Sequence, residues 1–315
     1  MGGFPYSIRN YQPGDFGKFV QLTIEAEKLE PAGRFISEQA IARRLGRPNY
    51  SPERDLFLAS IKEKPVGYLD ITSNLGIGRV IFDCWVHPEH RRQGISTQLL
   101  NRAFQRAREL GAKVAHVNIS QEDVAARSVL PRFGFECVRR FLELKLDMTK
   151  VPGVDTNPPD ITYRHLQPGE EEILTQIQNR AFAGTWGYNP NTVEETKYFL
   201  ESTGQFLEDV ILLFDEGKVI GYCWTKTLGK GGRVSGKGKG RLFMLGVDPD
   251  YRGMGAGKLV LLVGLAHLKE EGLETVELTV DSENEVAVNL YQSVGFEIET
   301  RSFWYEKVID TGEST

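Results

Sequence analysis

The chain has 315 residues, 40% of them hydrophobic and 26% charged, with a net charge of −5, 33 glycines, 14 prolines and three cysteines. At roughly 100–200 residues per domain this length predicts two domains, large enough to form cores without a disulfide or metal staple. Three widely spaced cysteines with no CxxC, an N-terminus MGGFPYSIRNYQPGDF without basic start or apolar core, and a longest apolar stretch of only Leu259–Leu268 exclude secreted and membrane classes and point to the cytoplasm. The first predicted element is a strand at Ser7–Asn10, which Gln12-Pro13-Gly14 turns into a helical region. Strands follow around Leu56–Ile61 and Pro65–Ile71, and another ends at Val86. VHPEHRRQGIS (86–96) leads into a long helix whose Leu99, Leu100, Ala103, Phe104, Ala107 and Leu110 share one face at 3.6-residue spacing. A strand at Lys113–Ile119, a short helix ending at Gly134-Phe135 and a closing strand complete the series.

The series then starts again. Arg164 and Gln167-Pro168-Gly169 repeat Arg9 and Gln12-Pro13-Gly14, and Gly221-Tyr222 repeats Gly67-Tyr68. VDPDYRGMGAG (247–257) repeats VHPEHRRQGIS: Val86, Pro88, Arg91 and Gly94 recur 161 residues later as Val247, Pro249, Arg252 and Gly255. The same offset carries Glu109, Gly111, Ala126, Gly134 and Phe135 onto Glu270, Gly272, Ala287, Gly295 and Phe296. A period this long marks a duplicated domain rather than a solenoid. The second copy has strands at Ile161–His165, Val210–Phe214, Lys218–Thr225 and Thr275–Val280, with a helix at Gly257–Glu271. The expected organisation is two α/β domains with mixed sheets, 1–150 and 161–315, joined by the proline-rich linker VPGVDTNPPD (151–160). Residues 1–155 carry 23 Lys and Arg against 18 Asp and Glu, and residues 156–315 carry 15 against 25. An acidic half opposes nucleic-acid binding, which depends on neutralising phosphates. The second copy is also longer in LGKGGRVSGKGKGR (228–241), read as a solvated loop or as a lid that contacts an anion.

Arg252-Gly-Met-Gly-Ala-Gly-Lys258 follows a strand and opens a helix, so its backbone amides can converge where the helix dipole favours an anion. It is not a Walker loop, which needs a glycine at Arg252 and Ser or Thr at Leu259, and GxGxxG would need a glycine at Lys258. What fits is R-x-x-G-x-G, from Arg252, Gly255 and Gly257, followed by N-x-x-A-x-x-x-Y-x-x-x-G-F at Asn284, Ala287, Tyr291, Gly295 and Phe296. His87, His90, His116, His165 and His267 show no metal-ligand spacing, and no metal is expected.

This combination resembles the GNAT acetyltransferase superfamily in both halves, so the chain looks like a tandem GNAT protein. The second half is most similar to mycothiol synthase and its two-domain relatives, on NRAFAGTWGYNP (179–190), Trp224-Thr225-Lys226, LGVDPDYRGMGAG (245–257) and SENEVAVNLYQSVGF (282–296). The resemblance implies acetyl-CoA as cosubstrate and a small-molecule amine as acceptor. By position, the backbone of Leu245 and Val247 would meet the pantetheine arm and thioester. The turn Arg252, Gly253, Met254, Gly255, Ala256, Gly257 and Lys258 would bind pyrophosphate, Asn284 would contact the pantetheine, and Tyr291 would protonate the leaving thiolate.

Two departures stand out. Where the resemblance implies a glutamate base on the strand leading into GVDP, this chain has Arg241, and Glu277 and Asp281 are the candidate replacements. In the first copy Ser96 stands for Gly257, Asp123 for Asn284 and Leu130 for Tyr291. Val86, Arg91, Arg92, Gly94 and helix-capping Ser96 and Thr97 could still hold CoA, with Asp83 a compensating base, but the leaving-group acid is missing. The expectation is an N-acetyltransferase, monomer or homodimer, with a catalytic second domain and a degenerate first one. The alternative is a CoA-binding regulatory or scaffold protein without turnover. Trp186 and Tyr188 line an acceptor pocket or simply fill the core.

Overall fold

The computed structural model describes residues 5–30, 36–151, 161–202, 207–228 and 238–310. Nearly all of the 151–160 linker and residues 229–237 of the basic loop therefore lie outside the described residues. The first copy runs β1 (Ser7–Asn10), α1 (Phe16–Leu29), α2 (Glu38–Leu45), α3 (Pro52–Asp55), β2 (Leu56–Ile61), β3 (Lys64–Asn74), β4 (Arg79–Val86), α4 (Ile95–Glu109), β5 (Val114–Ser120), α5 (Val124–Val129) and β6 (Glu136–Asp147). The second repeats it as β7 (Ile161–His165), α6 (Glu171–Phe182), α7 (Val193–Ser202), β8 (Val210–Asp215), β9 (Lys218–Leu228), β10 (Gly238–Val247), α8 (Ala256–Glu270), β11 (Leu273–Asp281), α9 (Glu285–Val294) and β12 (Glu297–Val308). No described helix is long and apolar enough to cross a membrane.

The repeated residues have structural reasons. Arg9 grips Asp15 with two hydrogen bonds of 2.6 and 2.7 Å, and Asp15 accepts the Gln12 amide; Arg164 grips Glu170 at 2.7 Å twice, and Glu170 accepts the Gln167 amide. The Gln-Pro-Gly motif is thus a turn clamped by an arginine–carboxylate fork. A Cβ at Gly67 would lie 2.9 Å from the Trp85 carbonyl, and one at Gly221 would lie 3.1 Å from that of Gly246, so each glycine lets two strands close up.

Packing divides the chain differently from the duplication. One compact unit gathers the described residues within Met1–Ile119, Asp123–Val138 and Trp304–Thr315; the other gathers Ser120–Glu122 and Arg139–Phe303. The copies therefore exchange closing segments, whereas the sequence-based boundaries 1–150 and 161–315 follow the repeat. Unit 1 has the strand order β1-β2-β3-β4-β5, with the end of β12 beside β5. In unit 2 the order from β6 is β6-β11-β10-β9-β8-β7, with β6 antiparallel to β11 from Phe141–Asp281 to Asp147–Thr275. Leu142, Leu144 and Leu146 of β6 and Val276, Leu278 and Val280 of β11 are buried with Val260, Leu261 and Leu265 of α8. Strand alternation turns Phe141, Glu143, Lys145, Glu277, Thr279 and Asp281 to the opposite face. Each fully buried leucine contributes about 1.5–3 kcal/mol, which fixes the register of the exchanged strand.

Candidate functional site

In unit 2, β10 pairs with β9 from Lys239 to Val247 but with parallel β11 only from Gly238 to Arg241. Beyond Arg241 the two parallel strands part, leaving an open backbone edge along the segment that ends with Leu245 and Val247. A bulge between Leu242 and Met244 adds Phe243 on β10 and re-aims this strand end.

The turn that follows is braced from below. Asp248, 1% exposed, accepts two 2.8 Å bonds from Arg180 and one of 3.1 Å from the Asp250 amide. Arg180, then against it burial, then the Asp250 amide leave the Asp248 carboxyl below the usual carboxylate range. Arg252 donates to the Ala181 carbonyl at 2.6 Å, so α6 holds the arginine of the motif in place. Gly253 at φ +77° and Gly255 at φ +87° adopt left-handed backbone, and Gly255 caps α8 with no side chain bonded to the first-turn amides. Those amides are free to bind an anion. Met254 and Lys258 are exposed at the rim, Ala256 is buried, and Gly257 packs toward Val247 and Leu290.

Tyr291 is buried in the same core as α8, edge-on to Phe296 at 5.8 Å. Burial first, and then Cys223, push its phenol above the ordinary tyrosine range, so it holds its proton at neutral pH. Asn284 caps α9, its side chain accepting the Ala287 amide at 3.2 Å. The two sequence-predicted acids are both engaged: Glu277 with Lys239 at 2.8 Å, and Asp281 with Arg139 at 2.9 Å and the Glu283 amide at 3.0 Å. Trp186 lies 6.0 Å from Phe141, with the Arg139 guanidinium 5.7 Å from its ring, while Tyr188 stacks on Phe182 at 5.2 Å and donates to Asn179 at 2.8 Å. Trp186 therefore belongs to the face carrying Phe141 and Glu143, and Tyr188 braces the loop.

Sequence reasoning missed Glu143. It accepts Thr279 Oγ1 at 2.8 Å and Arg241 at 3.4 Å, facing Thr279 across the β6–β11 pair. The signal was the alternation Phe-Leu-Glu-Leu-Lys (141–145), but nothing local assigned that strand to unit 2. Arg180 and Asp248 were missed too, because the clamp spans 68 residues of chain.

Unit 1 has the same frame with other contents. β4 pairs with β5 only from Arg79 to Ile81, so the strands part as in unit 2, yet β4 runs against β3 without a bulge. Val86 ends β4, Gly94 caps α4 at φ +84°, and Arg92 takes left-handed backbone at φ +64° where unit 2 has Gly253. Ser96 and Thr97 are not caps, because α4 already starts at Ile95; they lie inside its first turn. Arg91 is paired with Glu30, whose carboxylate also accepts Trp85 Nε1 at 2.8 Å. Asp83 accepts Arg44 at 2.9 Å, and Arg44 also bonds Asp70, which takes Tyr50 at 2.7 Å. Leu130 is buried where Tyr291 stands in unit 2. Among the described residues one group has metal-ligand reach, His87, Glu89 and His90 on this turn, where His87 Nδ1 already accepts the Glu89 amide at 3.2 Å.

This geometry agrees with comparisons to known proteins. A family model described as "Acetyltransferase (GNAT) family" matches residues 23–135 and 172–296. A mycothiol acetyltransferase of Amycolatopsis mediterranei is 31% identical over 291 residues, 87% of this chain and 93% of the relative. One from Cellulomonas flavigena is 34% identical over 221 residues, which span 67% of this chain and 62% of that relative's length. A tandem GNAT protein from the clavulanic acid biosynthesis pathway, of solved structure, shares the fold, with a TM-score of 0.73 at 18% identity, covering 98% of this chain and 100% of that one. A family match in each copy, on a shared frame of parted strands and left-handed turn, means that the chain belongs to the GNAT acetyltransferase family as an acyltransferase of tandem architecture.

Proposed function

We propose that unit 2 transfers an acetyl group from acetyl-CoA to the amine of a small molecule by direct attack, and that unit 1 is a non-catalytic partner. The observation that carries this is the parted β10–β11 edge leading into an uncapped left-handed turn, with a protonated Tyr291 beneath it. The open edge around Leu245 and Val247 supports the pantetheine arm, and the amides from Gly253 to Lys258 receive the diphosphate. The neutral amine attacks the thioester carbon, a backbone N–H stabilises the developing oxyanion, and Tyr291 gives its proton to the departing thiolate. Asn284, as cap of α9, orients the helix that carries Tyr291 and turns its remaining polar atoms to the pantetheine. Unit 2 holds the whole site, so one chain suffices, and its cosubstrate fits a cytoplasmic enzyme acting without a metal.

The acceptor is a small primary amine. The relatives are named mycothiol acetyltransferases, which gives the first acceptor class to try; Arg241, in place of the expected glutamate, argues for an acceptor of different charge. The test is calorimetric titration with acetyl-CoA together with thiol release across the acceptor class of those relatives, amino acids, amino sugars and polyamines. Binding at one site with amine-dependent thiol release is expected. Binding with no release from any amine would instead make the chain a CoA-binding scaffold.

A further inference from the structure

The exchanged strand brings an acid from the first copy to the catalytic face of unit 2. We propose that Glu143 is the general base of the acetyl transfer, taking over from the carboxylate that Arg241 replaces; this rests on the acetyltransferase reading above. Its position follows from register. Arg241 pairs with Glu277 at the last rung before β10 and β11 part, and Thr279, two residues further on, lies beside the opening. Glu143 faces Thr279 directly and accepts its hydroxyl at 2.8 Å with both carboxylate oxygens, while Arg241 reaches it from β10 at 3.4 Å. Thr279 and Arg241 thus hold the Glu143 carboxylate at the mouth of the fork.

The rival acids are less available. Asp281 is 8% exposed and tied to Arg139 and a backbone amide, and Glu277 is paired with Lys239 at 2.8 Å. Glu143 meets a neutral hydroxyl and one more distant guanidinium. Burial first, with the neighbouring Glu277 charge adding to it and the Thr279 hydrogen bond and Arg241 working against it, lifts the Glu143 carboxyl above the ordinary range, the direction a base needs. The faces also match the chemistry. Tyr291 belongs to the core on the α8 side with Leu142, Leu144 and Leu146, and alternation puts Glu143 on the other side. An acceptor can therefore approach from the Glu143 face while the thiol departs toward Tyr291.

In the step, the amine nitrogen forms the N–C bond and the C–S bond breaks. The nitrogen's proton passes to Glu143, directly or through one water, and the thiolate takes the Tyr291 proton. Solvent returns the Glu143 proton to Tyr291, so amine and acetyl-CoA become amide and free CoA.

The test compares Glu143→Gln, Glu277→Gln and Asp281→Asn in the full chain, using the fastest amine of the panel. Glu143→Gln is expected to lower kcat by about 10²–10⁴-fold, leave acetyl-CoA affinity and circular dichroism unchanged, and lose the acidic limb of the pH–rate profile. Glu143→Asp should recover part of the rate. The proposal is overturned if Glu143→Gln stays within twofold of wild type, if only KM for the amine rises, or if the loss appears in Glu277→Gln or Asp281→Asn instead. A wild-type protein that binds acetyl-CoA but acetylates no amine overturns the underlying reading and this inference with it; wild-type turnover that survives Glu143→Gln overturns the inference alone.

Discussion

Unit 1 and unit 2 share a frame and differ in what fills it. Where β10 carries Gly246 and Met244 at its parted end, β4 carries Trp85 and Asp83, and α2 adds Arg44 to lock Asp70 and Asp83 into one ionic cluster. The arginine of the turn braces backbone in both units, at the Ala181 carbonyl in unit 2 and the Val86 carbonyl in unit 1, but only in unit 1 does it also meet a carboxylate, that of Glu30. Beneath the turn, Arg180–Asp248 in one unit corresponds to Glu25–His87 in the other, with the carboxylate moved from the turn to the helix. Behind the long helix, the Arg106–Asp55 pair at 2.8 Å corresponds to His267–Asp209 at 3.5 Å. A duplicated fold thus keeps its clamps and its left-handed, side-chain-uncapped turn in both copies, while the charged groups gathered around that turn differ.

The largest expected contrast is at the leaving-group acid. Tyr291→Phe should lower kcat by about 10²–10⁴-fold, while Leu130→Tyr in unit 1 should add no activity; thiol release measures both. Equal loss of CoA affinity and rate in Tyr291→Phe would mean a packing role only. Next comes the turn. Gly255→Val should weaken acetyl-CoA binding at least about 100-fold, because a branched residue at φ +87° is strained by about 1–3 kcal/mol and disturbs the amides it must present. Gly94→Val is expected to leave calorimetric affinity unchanged, and a drop there would mean that unit 1 binds CoA as well.

A stability contrast follows. Removing Arg44 leaves the nearly fully buried Asp70 with poorer partners, so Arg44→Met should cost about 3 kcal/mol in denaturant unfolding without altering kcat. A loss of catalysis instead would show that unit 1 shapes the active unit. The smallest effect is a pH slope. Asp209, and against it burial, raises the His267 imidazole, so its stabilising contribution is complete below about pH 6.5 and fades as pH rises through the raised value. His267→Gln should flatten Tm against pH over that window. A wild-type Tm that does not fall with rising pH there would remove the contribution assigned to His267.

The sequence by itself determined the duplication, the element order and the R-x-x-G turn that opens each long helix. Each is written in short-range signals: Gln-Pro-Gly with its arginine, left-handed glycines at Gly94 and Gly255, and a 3.6-residue apolar face. The difference between the copies at Leu130 and Tyr291 was legible too, since both positions fall at the same place in the repeat and both are buried. Only the tertiary structure decided which sheet each closing strand joins. That choice depends on burying Leu142, Leu144 and Leu146 beneath α8, more than a hundred residues away, and no local pattern distinguishes one sheet edge from the other. It also decided the charge partners, since ion pairs such as Arg180–Asp248 and Glu143–Arg241 form between segments brought together only by packing. The identity of a turn is a matter of neighbouring dihedrals; the identity of a base is a matter of which side chains meet across a sheet.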